Sequence, residues 1–257
     1  MTSRRNVLTI AVFSVLSLLF PPRTVQAAGA ASEQTAGDVT SSTQVAVVVK
    51  ISIPPGIDRA QIEAGMSKTV PLYQNLPGLI RKYFIISDDQ KLGGIYLWQN
   101  RKTAEAWYSE DWRAQVMKKF GSPAELTYFD VPIAIEAIKP QKIASEQPSA
   151  GAAPSSKVAV LVEGPIPPGV SRAQIEAGMS KAVPLYQNLP GLMRKYFIIS
   201  EDQKLGGIYL WENRKTAEAW YNESVVWHAG VSKTFGTRAE ITYFDVPIVT
   251  EGLKSQQ

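Results

Sequence analysis

KLGGIYLW fills Lys91–Trp98 and returns, letter for letter, at Lys204–Trp211. Identity spreads outward from these eight residues in both directions. Residues 54–108 align without gaps to residues 167–221, and only six of 55 positions differ: 57, 58, 69, 80, 88 and 99 in the first copy. The likeness opens at VAVVVK (Val45) and VAVLVE (Val158). It resumes in FGSPAELTYFDVPI (Phe120–Ile133) and FGTRAEITYFDVPI (Phe235–Ile248), where the offset has grown from 113 to 115. The second copy therefore holds two extra residues between Tyr221 and Phe235. Cores tolerate volume-conserving swaps, so identity this dense reads as recent duplication. Two copies are too few for a solenoid, and each spans about 95 residues, the size of a small domain.

One copy reads as six elements. VAVVVKISI (Val45–Ile53) is a continuous β-branched run, the mark of a buried strand. Asp58 is an N-cap for a helix whose Ile62, Met66 and Val70 recur every four residues; Pro71 kinks or ends it. IRKYFIIS (Ile80–Ser87) and GIYLW (Gly94–Trp98) form a hairpin across the turn DDQKLGG. Asn100 caps a helix bearing Ala104, Trp107 and Tyr108, which Ser109 interrupts before the stripe Trp112, Val116, Phe120. LTYFDV (Leu126–Val131) is the last strand. The order β-α-β-β-α-β is the ferredoxin-like unit.

The strands are apolar on both faces: Phe84 and Ile86 against Tyr83 and Ile85, Tyr96 and Trp98 against Ile95 and Leu97. An antiparallel sheet with one wet face alternates apolar with polar. The second face must meet something, and the same face of the other copy is the nearest candidate. The expected fold class is therefore α+β, with two ferredoxin-like modules packed sheet to sheet as an intrachain dimeric α+β barrel, a barrel-like pseudo-dimer.

The rest of the 257-residue chain frames these modules. Arg4 and Arg5 precede an uncharged run of 14 residues, Val7–Phe20, too short to span a bilayer and closed by Pro21-Pro22. Residues 1–27 read as a signal peptide, which places the protein in the periplasm or outside the cell. SRRNVL (Ser3–Leu8) is close to the twin-arginine pattern but lacks its usual Phe and Lys, so the export route stays open. Residues 28–44 read as a disordered segment, 45–139 as the first module, 140–156 as a Pro/Ala/Ser-rich linker and 157–254 as the second module. Removing residues 1–27 takes Arg4, Arg5 and Arg23 and lowers the formal charge from +4 to +1. That balance argues against nucleic acid as a partner, and nothing beyond the leader suggests a membrane. No cysteine is present and His228 is the only histidine, which excludes Cys-His catalysis and Cys/His zinc sites.

With these residues in place, the chain resembles the YdhR-type monooxygenases of the dimeric α+β barrel superfamily. LPGLIRKYFIISDDQKLGGIYLW, KTAEAWY and YFDV carry the resemblance, nearly end to end and twice. It implies a pocket between sheet and helices in each module and, from superfamily relatives, cofactor-free oxygenation of phenolic compounds or haem degradation. Arg81 and Arg194 are the candidate catalytic residues, each stabilising a phenolate or enolate. Tyr83, Trp98, Trp107 and Tyr108, with Tyr196, Trp211, Trp220 and Tyr221, are the candidate substrate contacts; the same aromatics also fit a plain core. Trp112 and Trp227 continue that aromatic stripe. Asp130 and Asp245 fit a general base or a turn acceptor. His228 fits a surface residue or an axial haem ligand. No cofactor and no metal are expected. Two function classes remain open: oxygenation of an aromatic or polyphenolic molecule, and carriage of a small hydrophobic ligand without turnover.

Overall fold

The computed structural model describes residues 43–136, 157–224, 227–228, 230 and 239–252. The leader, the N-terminal segment up to residue 42, the linker and much of the two-residue insertion lie outside the described residues. In chain order the elements are β1 (Gln44–Ser52), α1 (Arg59–Gln74), β2 (Leu79–Ser87), β3 (Lys91–Trp98), α2 (Arg101–Trp107), α3 (Glu110–Phe120) and β4 (Glu125–Glu136). They continue as β5 (Lys157–Pro165), α4 (Arg172–Gln187), β6 (Leu192–Ser200), β7 (Lys204–Trp211), α5 (Arg214–Glu223) and β8 (Glu240–Glu251).

Eight strands form one closed barrel in the order β1-β3-β2-β8-β5-β7-β6-β4, all neighbours antiparallel. The expected barrel is present and is fully closed. The apolar inner faces do meet, but β2 also pairs with β8 and β4 with β6, so neither half keeps a free edge. The sequence reading ended the last strand at Val131. The strand instead continues to Glu136, because Pro132 falls at a register shift between Asp130 and Ile133, where its missing N–H breaks no ladder bond. Pro247 falls in the matching irregularity of β8.

Two more boundaries differ for local reasons. α1 runs through Pro71 to Gln74, held by burial of Thr69 and Tyr73 on either side of the proline. β3 starts at Lys91 rather than Gly94, because both glycines are needed inside the strand. A Cβ on Gly93 would sit 1.9 Å from the Val49 carbonyl oxygen, and one on Gly206 equally close to that of Val162. A Cβ on Gly94 would lie 2.7 Å from the Tyr96 ring and 2.9 Å from Lys82 Cε. The repeated GG therefore serves close backbone approach at its first residue and side-chain room at its second.

The core falls into three parts. Ala46, Tyr83, Ile95, Phe129, Tyr196, Ile208 and Phe244 fill the barrel from both halves. Val47, Phe84, Tyr96 and Trp98 face α1–α3 on the outside of the first half. Val160, Phe197, Tyr209 and Trp211 do the same beneath α4 and α5. Reciprocal ion pairs tie the halves together. Arg59 on α1 reaches Asp245 on β8 at 2.6 Å, and Arg172 on α4 reaches Asp130 on β4 at 2.6 Å. The hairpin carboxylates are also used: Asp88 pairs with Arg214 at 2.8 Å and Glu201 with Arg101 at 2.6 Å.

Candidate functional site

The side chains singled out from sequence do not share one slot. Strand alternation divides them between the two faces of the barrel wall. On β2, Arg81 and Tyr83 point inward, while Lys82 and Phe84 point toward the helices; β6 repeats this with Arg194, Tyr196, Lys195 and Phe197.

The inward group forms a closed network across the two halves. Tyr83 and Tyr196 stack with ring centroids 6.2 Å apart, and their hydroxyl oxygens are 2.6 Å apart. Arg81 Nη1 donates to the Tyr196 hydroxyl at 2.8 Å and approaches Glu136 at 2.9 Å, while its Nε donates to Glu251 at 2.8 Å. Arg194 donates from Nε to Glu136 at 2.5 Å, with Nη2 3.3 Å from Glu251. Arg81–Glu251 and Arg194–Glu136 are directly opposed across the seams that close the barrel. Arg81 is thus not a strand-edge arginine: its side chain is 12% exposed. Burial opposes its charge, but Tyr196, Glu251 and Tyr83 outweigh that and keep the guanidinium firmly protonated. Burial pushes both tyrosines above the ordinary phenol range. Two guanidiniums are already matched by two carboxylates, which leaves little of their charge for a bound anion.

The outward group is aromatic. Trp98 and Trp211 are fully buried, and Tyr108 and Tyr221 nearly so. Trp98 meets Tyr108 edge-on at 5.9 Å, and Tyr108 meets Trp112 at 5.0 Å. The second half repeats this with Trp211, Tyr221 and Trp227. These are packing contacts. Of the tryptophans and tyrosines marked from sequence on this face, Trp107, at the end of α2, and Trp220, within α5, are the partly exposed ones.

At Trp220 the halves part company. In the first half α2 ends at Trp107, and Ser109 caps a new helix. In the second half Asn222 replaces that serine and α5 runs on to Glu223. Beside it lies a hollow of about 350 Å³, walled by Leu189, Pro190, Trp211 and Trp220, with Thr216, Glu223 and Ser224 supplying polar atoms. The indole N–H of Trp220 is buried and has no hydrogen-bond partner among the described residues. Among the described residues Glu223 is the one ionisable side chain on the wall. Of the eight aromatic residues marked from sequence, Trp211 and Trp220 line this hollow.

The sequence reading missed Lys82 and Lys195. Each is almost fully buried, at 3% and 2% exposure. Lys82 Nζ lies 3.4 Å from the Tyr73 ring centre, 3.8 Å from Phe84 and 4.7 Å from Tyr96. Lys195 Nζ lies 3.1, 3.8 and 4.5 Å from Tyr186, Phe197 and Tyr209. Burial alone drives both amines well below the ordinary lysine range. The rings oppose this, but a desolvated cation–π contact returns only about 2 kcal/mol, against several for taking an ammonium out of water. One signal for these lysines was in the sequence: a GG pair on the strand facing a lysine leaves a cleft for it.

The other candidates settle elsewhere. Asp130 and Asp245 are held by Arg172 and Arg59 rather than by turn N–H groups. His228 is exposed and donates from Nε2 to the Asn222 carbonyl at 3.1 Å, off the wall of the hollow. Among the described residues no three His, Asp or Glu side chains group as a metal site would require.

No family model and no curated protein matches this sequence. Solved structures do match in shape. One, from Fusobacterium nucleatum subsp. nucleatum and described as a "putative monooxygenase", superimposes with a TM-score of 0.61 at 10% identity, over 82% of this chain and 95% of that one. A second of the same description, from Lactobacillus acidophilus, gives 0.56 at 8% identity over 81% and 96%. A third, described as anthrone oxidase-like, gives 0.54 at 13% identity over 82% and 94%. At these identities the likeness is one of fold: the α+β barrel of the monooxygenase-like proteins.

Proposed function

We propose that this chain is an exported, self-paired α+β barrel, two ferredoxin-like modules joined in one polypeptide, that binds a flat aromatic molecule at Trp220 and promotes its reaction with dioxygen. The hollow beside α5 carries this reading. Among the described residues it has a largely apolar wall, one N–H donor without a partner and one carboxylate, the combination that fixes a planar oxygen-bearing ring. An anthrone is the natural probe, given the description of the third structural neighbour. Glu223 takes a proton from the ring methylene, and the Trp220 N–H donates to the developing enolate oxygen. The carbanion then reacts with dioxygen: one oxygen atom becomes the new carbonyl, and the other leaves as water with the two methylene hydrogens. Arg81 and Arg194, engaged by Glu136 and Glu251, are assigned to joining the halves rather than to this step.

Oxygen uptake with anthrone tests the reading. Wild type is expected to exceed the spontaneous rate. Glu223→Gln should lower the excess by about 10²-fold or more while still quenching tryptophan fluorescence with the same ligand affinity. Trp220→Phe should weaken both. Saturable binding with the anthrone recovered unaltered would replace the enzyme with a carrier, and neither binding nor turnover would remove the hollow as the site.

A further inference from the structure

A second hollow lies at the seam between the halves, beside the first turn of α4. It measures about 260 Å³ and is walled by Ile166, Val170, Ile175 and Ile199 of the second half, with Asp130 of β4 entering from the first. At about 30 Å³ for each water-sized group, it has room for a small branched molecule. The first half repeats this turn and helix, but with Ile57 in place of Val170. Ile57 is half-buried and packs on its core. Val170, one methylene shorter, is 38% exposed, and Ile175 on the same wall is at 8% where Ile62 is at 3%. The shorter side chain leaves open what isoleucine fills in the other copy. We propose that this hollow binds a small uncharged aliphatic alcohol, its branched chain on the isoleucines and its hydroxyl at the Gln203 amide.

The wall chooses the class. Its charged groups are already matched: Asp130 accepts from Arg172 at 2.6 Å, Arg172 also binds Glu176 at 2.8 Å, and Glu201 pairs with Arg101 at 2.6 Å. An entering ion would have to break one of these pairs or stay unpaired. Ser200 Oγ is likewise engaged, by Asp202 and by the Lys204 N–H. Gln203 differs. Among the described residues its side-chain amide makes no hydrogen bond, and the residue stands exposed at the rim with a left-handed φ of 60°. A neutral amide can both donate to and accept from a hydroxyl. The apolar side chains are branched aliphatic ones, and among the described residues no aromatic ring joins them on the wall. A branched chain therefore fills the space better than a flat ring. Val170 and Arg172 are exposed as well, so the hollow is open to solvent on their side.

Trp220 is not on this wall, so the proposal stands apart from the oxygenation reading and its test needs no turnover. The full chain, 13C-labelled at Ile and Val methyl groups, is titrated with 3-methyl-1-butanol. The methyl signals of Val170, Ile175 and Ile199 should shift together and saturate, while those of Ile57, Ile62 and Ile86 stay still. Val170→Ile, a residue that the same turn already holds in the first half, should weaken binding by about tenfold or more. Gln203→Gly keeps the left-handed backbone and removes the amide, and should weaken it by about threefold or more. The ions of the same skeleton, 3-methylbutylammonium and 3-methylbutanoate, should each bind at least about tenfold more weakly than the alcohol. Shifts that grow without saturating, that reach both halves alike, or that survive Val170→Ile unchanged would overturn the site. Tighter binding of either ion would overturn the uncharged class.

Discussion

The two faces of β2 obey different logics. Inward, Arg81, Tyr83 and Ile85 meet the equivalent residues of the other half, and the charged groups among them are paired across the seams. Outward, Lys82, Phe84 and Ile86 meet helices of their own half, and the amine is left with aromatic faces alone. The inner face is common property of the two copies; the outer faces are built mostly by one half, with Ile248 of β8 reaching under the first and Ile133 and Ile135 of β4 under the second. A change inside the barrel is therefore expected to reach both halves alike, and a change beneath the helices chiefly one, with the last strand of the other.

Two large-to-small substitutions separate these cases and have the largest expected effect. Phe129→Ala inside the barrel and Trp98→Ala beneath α2 both remove almost fully buried rings, and each should cost about 3–5 kcal/mol of stability. Hydrogen exchange should tell them apart. Phe129→Ala should raise exchange in β6 and β8 as well as in β1, because the residues it touches come from both halves. Trp98→Ala should raise it in α2, α3 and β3 and leave β5–β7 protected. Equal loosening of both halves by Trp98→Ala would end the distinction between the inner face and the outer ones.

Lys195→Met comes next in size. It exchanges an amine kept from its proton for an apolar chain of similar length, and such replacements are worth about 1–4 kcal/mol when the charged form was buried. The sign follows from the depressed folded-state pKa. Below about pH 10.4 the unfolded chain binds a proton at Lys195 that the folded chain gives up. Wild-type stability should therefore rise with pH between the folded and unfolded values, and the advantage of Lys195→Met should shrink over the same range. Comparing midpoints of denaturant unfolding at pH 7 and pH 9 measures this. The pair stays below the range where the buried tyrosines, whose pKa values are raised, begin to oppose it. A variant less stable than wild type at pH 7 would mean that the rings around Lys195 hold the ammonium.

Much of the fold was legible because duplication and double-sided apolar strands are patterns of residue type. YFII and GIYLW announce two buried faces whatever lies against them. The barrel was legible but its closing seams were not, since they lie in PIAIE and PIVTE, where a proline and a polar ending resemble the end of a strand. The aromatic residues were legible as a cluster but not as a site. Whether a tryptophan packs, as Trp98 does, or borders open space, as Trp220 does, depends on where a helix stops. That was decided by one serine-to-asparagine difference, at 109 and 222, and by the insertion that follows it. Lys82 was illegible because a lysine in IRKYFIIS looks like an exposed strand residue until Gly94 is seen to make room for it.

The smallest effect concerns what crosses between the halves outside the barrel. Arg59–Asp245 and Arg172–Asp130 are related by the repeat, and each joins a helix of one half to the last strand of the other. Both arginines are about half exposed and also bind a glutamate one turn along their own helix. Exposed pairs of this kind contribute about 0.2–1 kcal/mol. A double-mutant cycle with Arg59→Ala and Asp245→Ala should therefore give a coupling in that range at low salt, fading as ionic strength shortens the screening length. The inner network should behave otherwise. Arg81 is largely buried, so the coupling of Arg81→Met to Glu251→Gln should exceed the outer value and change less with salt. If the outer pair proved the stronger and the more salt-resistant, the halves would be held at their rim, and the barrel interior would be filling rather than fastening.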